Sequence, residues 1–383
     1  MATALSDTEL LARLVAFDST SARSNLDIAD FLAGYLDGPG ARIDRFPSAD
    51  GEKVNLVVET GPSTTEGRQG LVLSAHMDVV PAGAGWSHDP FTLTDGGDRY
   101  FGRGSADMKG FLALAANAFN RASATVLTAP LALVLTYDEE VGCLGAQRLV
   151  AAWPKARSLP RATLVGEPTR LKALTRHKGH LTLRLTFRGV SAHSGYPHLG
   201  RSAVEPAAEA VAALSRLRRQ LAAERPEGGD AFPETPYVAL NVGRIEGGEA
   251  VNVIPDRCVV EMGLRLLPGM AAEPWVERVQ EAIAPAVGGA DWHLEVLRFT
   301  PALATREDAA IVRHLKGLLG QEEILSASYA TDGGRLSELG LEPVICGPGD
   351  IAVAHKPDEY LPKADLEAAA RLVDRLITDF CHV

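Results

Sequence analysis

The sequence predicts an α/β protein: a mainly parallel-sheet catalytic domain with a smaller α+β domain inserted into it. Three observations carry this reading. Near-continuous apolar runs, VNLVVE (54–59), LVLSA (71–75), LALVLTY (131–137) and ATLVG (162–166), alternate with helix-like stretches. Such runs suit parallel strands covered on both faces by crossover helices. After Glu167 the pattern changes, and HLTLRLTFR (180–188) alternates in period two, as a strand with one wet face does. Finally, 383 residues exceed one ordinary core.

Taken in order, Ser6-Asp-Thr-Glu9 has the form of a capping box ahead of the apolar-periodic run Leu10 to Phe17. A second helix near 25–37 is stopped by glycines at 34, 38 and 40 and by Pro39. GFLALAANAFNRA (110–122) predicts a helix between two strands, and another is predicted near 144–153. In the changed region a helix at about 202–222 follows the first alternating strand. A Pro/Gly-rich loop (225–236) comes next, then two alternating runs, YVALNVGRIEGG (237–248) and RCVVEMGLRLL (257–267), then a helix at about 272–286. This β-α-β-β-α order, with one further strand expected, fits a ferredoxin-like sheet with helices on one face. The predicted division is 1–176, catalytic domain, first part; 177–288, inserted lid or dimerisation domain; and 289–383, catalytic domain, second part.

Composition narrows the function. Hydrophobic residues make up 46% and charged residues 23%, as in a soluble globular protein. A formal net charge of −11 disfavours nucleic acid, whose phosphates demand a basic surface. The four cysteines lack C-x-x-C spacing, which argues against disulfides or a thiolate zinc site. No signal-peptide pattern and no apolar run of about 18 residues is present, so a cytoplasmic protein without a membrane span is expected.

Four segments carry metal-binding side chains at or near the ends of strand-like runs: LVLSAHMDVVP (71–81), GRGSADMKG (102–110), LVLTYDEEVG (133–142) and LVGEPT (164–169). His355, in AHKPDEYL, is a fifth candidate. In open α/β sheets, ligands gather at the carboxyl ends of strands. Single acidic residues commonly begin loops, but this order of histidines and carboxylates is rare by chance. Two histidines and three carboxylates, one of them shared, can hold two divalent metals and activate water against an amide. Asp78, two residues after His76, faces the same side if the strand persists, and its carboxylate could orient the imidazole. Glu139 and Glu140 are adjacent and should diverge, one to metal and one free as a base.

These motifs resemble the M20 family of metallopeptidases and deacylases nearly end to end. SAHMDVVP, GRGSADMKG, DEE and GEPT look like its four metal motifs. TYDEEVGCLGA, GEPTRLKALTRHKGH and CGPGDIAVAHKPDEYL are most similar to its acetylornithine deacetylase branch. The resemblance implies two divalent metal ions, Zn2+ first and Co2+ or Mn2+ as substitutes. It puts His76 and Glu167 on one, Glu140 and His355 on the other, and Asp107 across both. It makes Glu139 the general base and acid and Asp78 the support of His76, and it marks Asp107-Met108 as a candidate cis peptide. His193, in GVSAHSGYP, matches a histidine that in dimeric members reaches the partner subunit's site and polarises the scissile carbonyl. Asn252 and Arg265 stand where the family holds the substrate carboxylate, a task that suits the planar guanidinium.

Asp332, in YATDGGRLSELG (329–340), departs from the Thr-Glu pair of that branch. It could meet a cationic side chain or amine, or cap a helix beginning near Gly333. The expected activity is hydrolysis of a small N-acyl amino acid such as N2-acetylornithine by a homodimer. The alternatives are acetylcitrulline or acetyl-lysine deacetylation, succinyl-diaminopimelate desuccinylation, and dipeptidase or carboxypeptidase action. A non-catalytic binding relative is the alternative from another class, and it would be expected to lack a ligand or the base.

Overall fold

A computed structural model describes residues 5–64, 68–323 and 325–382. The chain forms two compact units. The first holds the described residues of 1–175, 304–325 and 331–383, and the second holds 176–303 with 326–330.

The first unit is built on a mixed, mostly parallel sheet. Its central strands run in the order Arg42–Pro47, Val54–Thr60, Leu131–Thr136, Leu71–His76, Ala162–Pro168 and Glu342–Gly347. Leu71–His76 is parallel to both of its neighbours, and Glu342–Gly347 is parallel to Ala162–Pro168. Val54–Thr60 is antiparallel to Leu131–Thr136, unlike the expectation drawn from its apolar run. The reason is local. It forms a hairpin with Arg42–Pro47, with Pro47 opposite Val54, and a hairpin reverses the chain. A continuous apolar run reports burial on both faces, and six of its seven residues are buried, but it carries no direction.

The first helix, Asp7–Val15, starts on the expected capping box: Ser6 N–H donates to Glu9 Oε2 (2.8 Å) and Glu9 N–H to Ser6 Oγ (3.2 Å). Helices at Leu26–Leu36 and Leu144–Ala152 also follow the sequence reading. Gly110–Ser123 is buried along nearly its whole length, and Lys363–Cys381 packs against it. The chain leaves this unit after Thr175 and re-enters where Thr305 N–H donates to the Thr175 carbonyl (2.9 Å).

The second unit is a four-stranded antiparallel sheet in the order Ala239–Gly247, Arg257–Leu266, Gly179–Arg188, Asp291–Thr300. In chain order this is 2-3-1-4, the ferredoxin-like arrangement. Helices Val204–Ala223 and Glu273–Val287 supply its core together with Leu181, Leu183, Leu185 and Phe187, the buried half of the alternating run. Full burial of a side chain such as Phe187 contributes about 1.5–3 kcal/mol. The unit continues to Leu303, beyond the expected boundary at 288, because Asp291–Thr300 pairs along Gly179–Arg188. A register shift between Val296 and Arg298 breaks the period-two signal of that strand. Among the described residues, no helix is long and apolar enough to cross a membrane.

Candidate metal centre

Parallel strands bring their carboxyl ends to one side, and the expected ligands sit there. His76 closes Leu71–His76, Glu167 lies near the end of Ala162–Pro168, and Glu139 and Glu140 follow Leu131–Thr136. Gly166 precedes Glu167 because the Phe111 ring occupies the place of a side chain, 1.9 Å from where a Cβ would stand. Asp107 comes from the segment leading into the helix Gly110–Ser123. That segment begins at Gly104 (φ 78°), where a Cβ would fall 2.6 Å from Val79. The Asp107-Met108 peptide is cis. His355 (φ 62°) lies in the loop after Glu342–Gly347.

The five side chains converge around Asp107. His76 Nε2 is 3.1 Å from Asp107 Oδ1, and His355 Nε2 is 3.2 Å from Asp107 Oδ2. His355 Nε2 also lies 2.9 Å from Glu140 Oε2. Donor atoms of His76, Asp107 and Glu167 fall within 4.8 Å of one another, as do those of Asp107, Glu140 and His355. The two oxygens of one carboxylate thus face two different histidines. His76, Asp107 and Glu167 are buried, at 1%, 5% and 4% exposure, whereas the His355 side chain is half exposed.

The electrostatics describe a site crowded with negative charge. Burial pushes Glu167 well above its ordinary range, helped by Asp107 and Glu140. Burial and Asp107 bring Glu140 to about 7. Glu139 is likewise pushed well up, first by burial and then by Glu167, Asp332 and Glu140. Hydrogen bonds to Asp107 and Glu140 raise His355 to about 10. Burial opposes charge on His76, but Asp107, Glu167 and Asp78 outweigh it and the net shift is upward. Burial would also raise Asp107, but His355 and His76 hold it well below the usual carboxylate range. Mixed imidazole and carboxylate donors of net negative charge fit divalent cations such as zinc.

Asp78 does something other than expected. The His76 Nδ1–H donates to the Asp78 backbone carbonyl (2.9 Å), while the Asp78 carboxylate stands 3.6 Å away. That bond leaves Nε2 of the neutral ring as the lone pair facing Asp107. The carboxylate instead accepts from the Glu139 N–H (Oδ1, 3.1 Å), the Glu140 N–H (Oδ2, 3.3 Å) and Ser21 Oγ (Oδ2, 2.6 Å). It fixes the turn on which base and ligand diverge. Asp332 departs from the capping role read from sequence. Thr331, not Asp332, caps the short helix Asp332–Leu336, accepting from Gly333 N–H (3.0 Å). Asp332 is buried, accepts from Thr136 Oγ1 (2.5 Å), and groups with Glu139 and Cys143. Sequence reasoning gave no role to Ser21, Thr136, Arg103 or Glu359, whose partners lie far away along the chain.

In the second unit, His193 lies exposed on a two-residue strand paired with Val253–Ile254. Its Nδ1 accepts from Gly195 N–H (3.0 Å), so Nε2 carries the proton of the neutral ring. Asn252 is beside it, its carbonyl accepting from Ser194 N–H (3.0 Å). Arg265 lies opposite His180 in the sheet and makes no ion pair with an acid among the described residues. Burial brings both His177 and His180 down to about 4, with Arg265 adding repulsion. An unfolded histidine titrates near 6.5, so between about pH 6.5 and 4 the unfolded chain binds more protons. Stability should therefore fall as pH drops through that window, by up to about 3 kcal/mol from His177 alone. Denaturant melts of His177→Gln should show a flatter loss from pH 7 to 4.5, and an unchanged slope would refute this assignment.

The family model described as peptidase family M20/M25/M40 matches residues 72–379. An acetylornithine deacetylase of Myxococcus xanthus is 37% identical over 377 residues, covering 97% of this chain and 96% of its own. One from Pasteurella multocida is 34% identical over 364 residues, covering 94% and 92%. Among solved structures, an M20 metallo-carboxypeptidase from Sulfolobus solfataricus superposes with a TM-score of 0.77 at 17% identity, covering 97% and 98%. A dinuclear metal-binding M20 peptidase from Bacillus subtilis gives 0.66 at 14% identity, covering 98% of each chain. Matched along most of its length and carrying the grouped side chains described above, the chain belongs to the M20/M25/M40 peptidase family and is a hydrolase of amide bonds.

Proposed function

We propose that this chain is a dinuclear-metal deacetylase that removes the acetyl group from the α-nitrogen of an amino acid such as ornithine. The observation that carries the dinuclear part is the placement of Asp107, with one carboxylate oxygen toward His76 and the other toward His355. The substrate part is supported by relatives named acetylornithine deacetylase that align along nearly the whole chain. In this reading His76 and Glu167 hold one cation, Glu140 and His355 the other, and Asp107 both. Bound there, divalent cations would polarise the amide carbonyl and make a water more acidic.

Glu139, fixed through its N–H by Asp78, takes the proton of the attacking water. The water oxygen bonds to the acetyl carbonyl carbon. Glu139 then passes the proton to the departing α-nitrogen as the C–N bond breaks, releasing acetate and the amino acid. His193 of the partner subunit, in a homodimer, would donate its Nε2–H to the carbonyl oxygen as negative charge develops there. Arg265 and Asn252 are the candidates for the substrate carboxylate, and the absence of an acidic partner for Arg265 among the described residues supports that role.

The test is a panel run with metal-loaded enzyme: N2-acetylornithine, acetylcitrulline, acetyl-lysine, succinyl-diaminopimelate and dipeptides. The highest kcat/KM is expected for N2-acetylornithine. A clear preference for dipeptides would replace the deacetylase assignment with a peptidase one.

A further inference from the structure

We propose that Glu359 is a positioning residue that locks the segment carrying His355 to the segment carrying Asp107 and so sets the spacing of the two metal positions; this rests on the dinuclear reading above. Glu359 is 1% exposed and lies four residues after His355. Its carboxylate divides its bonds. Oε1 accepts the backbone N–H groups of Ala106 (3.0 Å) and of Asp107 itself (3.1 Å). Oε2 accepts from Arg103 Nη1 (2.6 Å). The Glu359 carbonyl accepts from Gly102 N–H (3.0 Å), and the following residues Tyr360–Pro362 pair with Arg99–Phe101. The two chain segments are thus zipped together up to the point where both deliver a ligand.

Arg103, also 1% exposed, extends the connection to a third segment. Its Nη2 donates to the carbonyls of Pro81 (3.4 Å) and Ala82 (3.2 Å), just beyond His76 and Asp78, and its guanidinium lies 5.0 Å from the Trp86 ring centroid.

A buried Arg–Glu pair often contributes little beyond its own desolvation cost, and apolar residues of equal volume can replace it. Two features separate Glu359 from that case. One oxygen is committed to main-chain donors, one of them the N–H of the shared ligand. The other holds the only charged partner that Arg103 has among the described residues. Residues next to metal ligands commonly tune affinity by orienting them. Here the oriented object is the backbone that carries Asp107, relative to the loop that carries His355.

Two doubly substituted proteins separate positioning from charge pairing. R103M/E359Q removes both charges but keeps a carbonyl acceptor for the two N–H groups. R103M/E359M has nearly the same volume and no acceptor. Both are titrated with Zn2+ by calorimetry and with Co2+ by visible absorption, well below their melting temperatures. The Met variant should bind the second equivalent about 10- to 100-fold more weakly than the parent. It should show an altered dicobalt spectrum and recover turnover at high metal concentration. The Gln variant should stay close to the parent. Equal affinities in all three proteins, or equal losses in both variants, would overturn the role. A parent that binds only one equivalent would overturn the dinuclear reading and this inference with it.

Discussion

Glu139→Gln is expected to lower kcat by about 10²- to 10⁴-fold while leaving the metal content unchanged. The substitution preserves shape and the N–H bond to Asp78, which is made by the main chain. It removes only the ability to take and return a proton. Glu139 is not in either group built on Asp107 and groups instead with Cys143 and Asp332, so metal affinity should not follow it. The environment fits a proton shuttle. Burial and the neighbouring carboxylates Glu167, Asp332 and Glu140 all favour the protonated form. Metal analysis of the purified variant, together with single-turnover kinetics, checks this. Near-normal turnover would remove Glu139 from the mechanism, and loss of metal would recast it as a ligand.

Asp107→Ala should have the larger effect, because in the dinuclear reading it removes a donor from both metal positions at once. Among the described residues Asp107 alone belongs to both groups, with one oxygen toward each histidine, so its removal breaks both trios. Activity should fall on the order of 10³-fold or more, since cation stabilisation of the reacting carbonyl is worth several kcal/mol. His355→Ala gives the contrast. His355 is half exposed and belongs to one group only. It should lose one equivalent and keep the other, whereas Asp107→Ala should lose both. Metal titration of the two variants side by side decides this, and retention of two equivalents by Asp107→Ala would refute the shared position.

The strand-end candidates His76, Glu139, Glu140 and Glu167 were legible because each ends or follows a strand that announces itself locally. LVLSA runs into His76 and LALVLTY into Glu139 and Glu140, so a parallel sheet gathers them without further information. The inserted sheet was legible for the same reason, from the alternation Leu181, Leu183, Leu185, Phe187. What sequence could not give depends on distant partners or on geometry within two residues. Nothing in HMD says that the His76 imidazole will choose the Asp78 carbonyl over its carboxylate. Nothing in TDGG says that Asp332 will turn inward to Thr136, which lies almost two hundred residues earlier. Glu359, in a polar run beside Lys356 and Asp358, reads as a solvated acid and is among the most buried charges in the chain.

The insertion of residues 176–303 also shapes how the molecule is made. The strand Glu342–Gly347 must dock beside Ala162–Pro168, and His355 follows it, so the candidate metal-binding groups cannot both be assembled until most of the chain has left the ribosome. The inserted unit can fold during that interval. Once folded, it brings Thr175 and Thr305 to hydrogen-bonding distance and replaces a long flexible loop by a short, stiff connection. Loop entropy changes only slowly with length, about 0.6 kcal/mol per doubling, so the gain is chiefly in the speed of a non-local pairing. A nascent chain that carries His76, Asp107 and Glu167 but not yet His355 holds one three-residue group and lacks the other. The order of synthesis therefore makes the group of Asp107, Glu140 and His355 the later of the two to be completed.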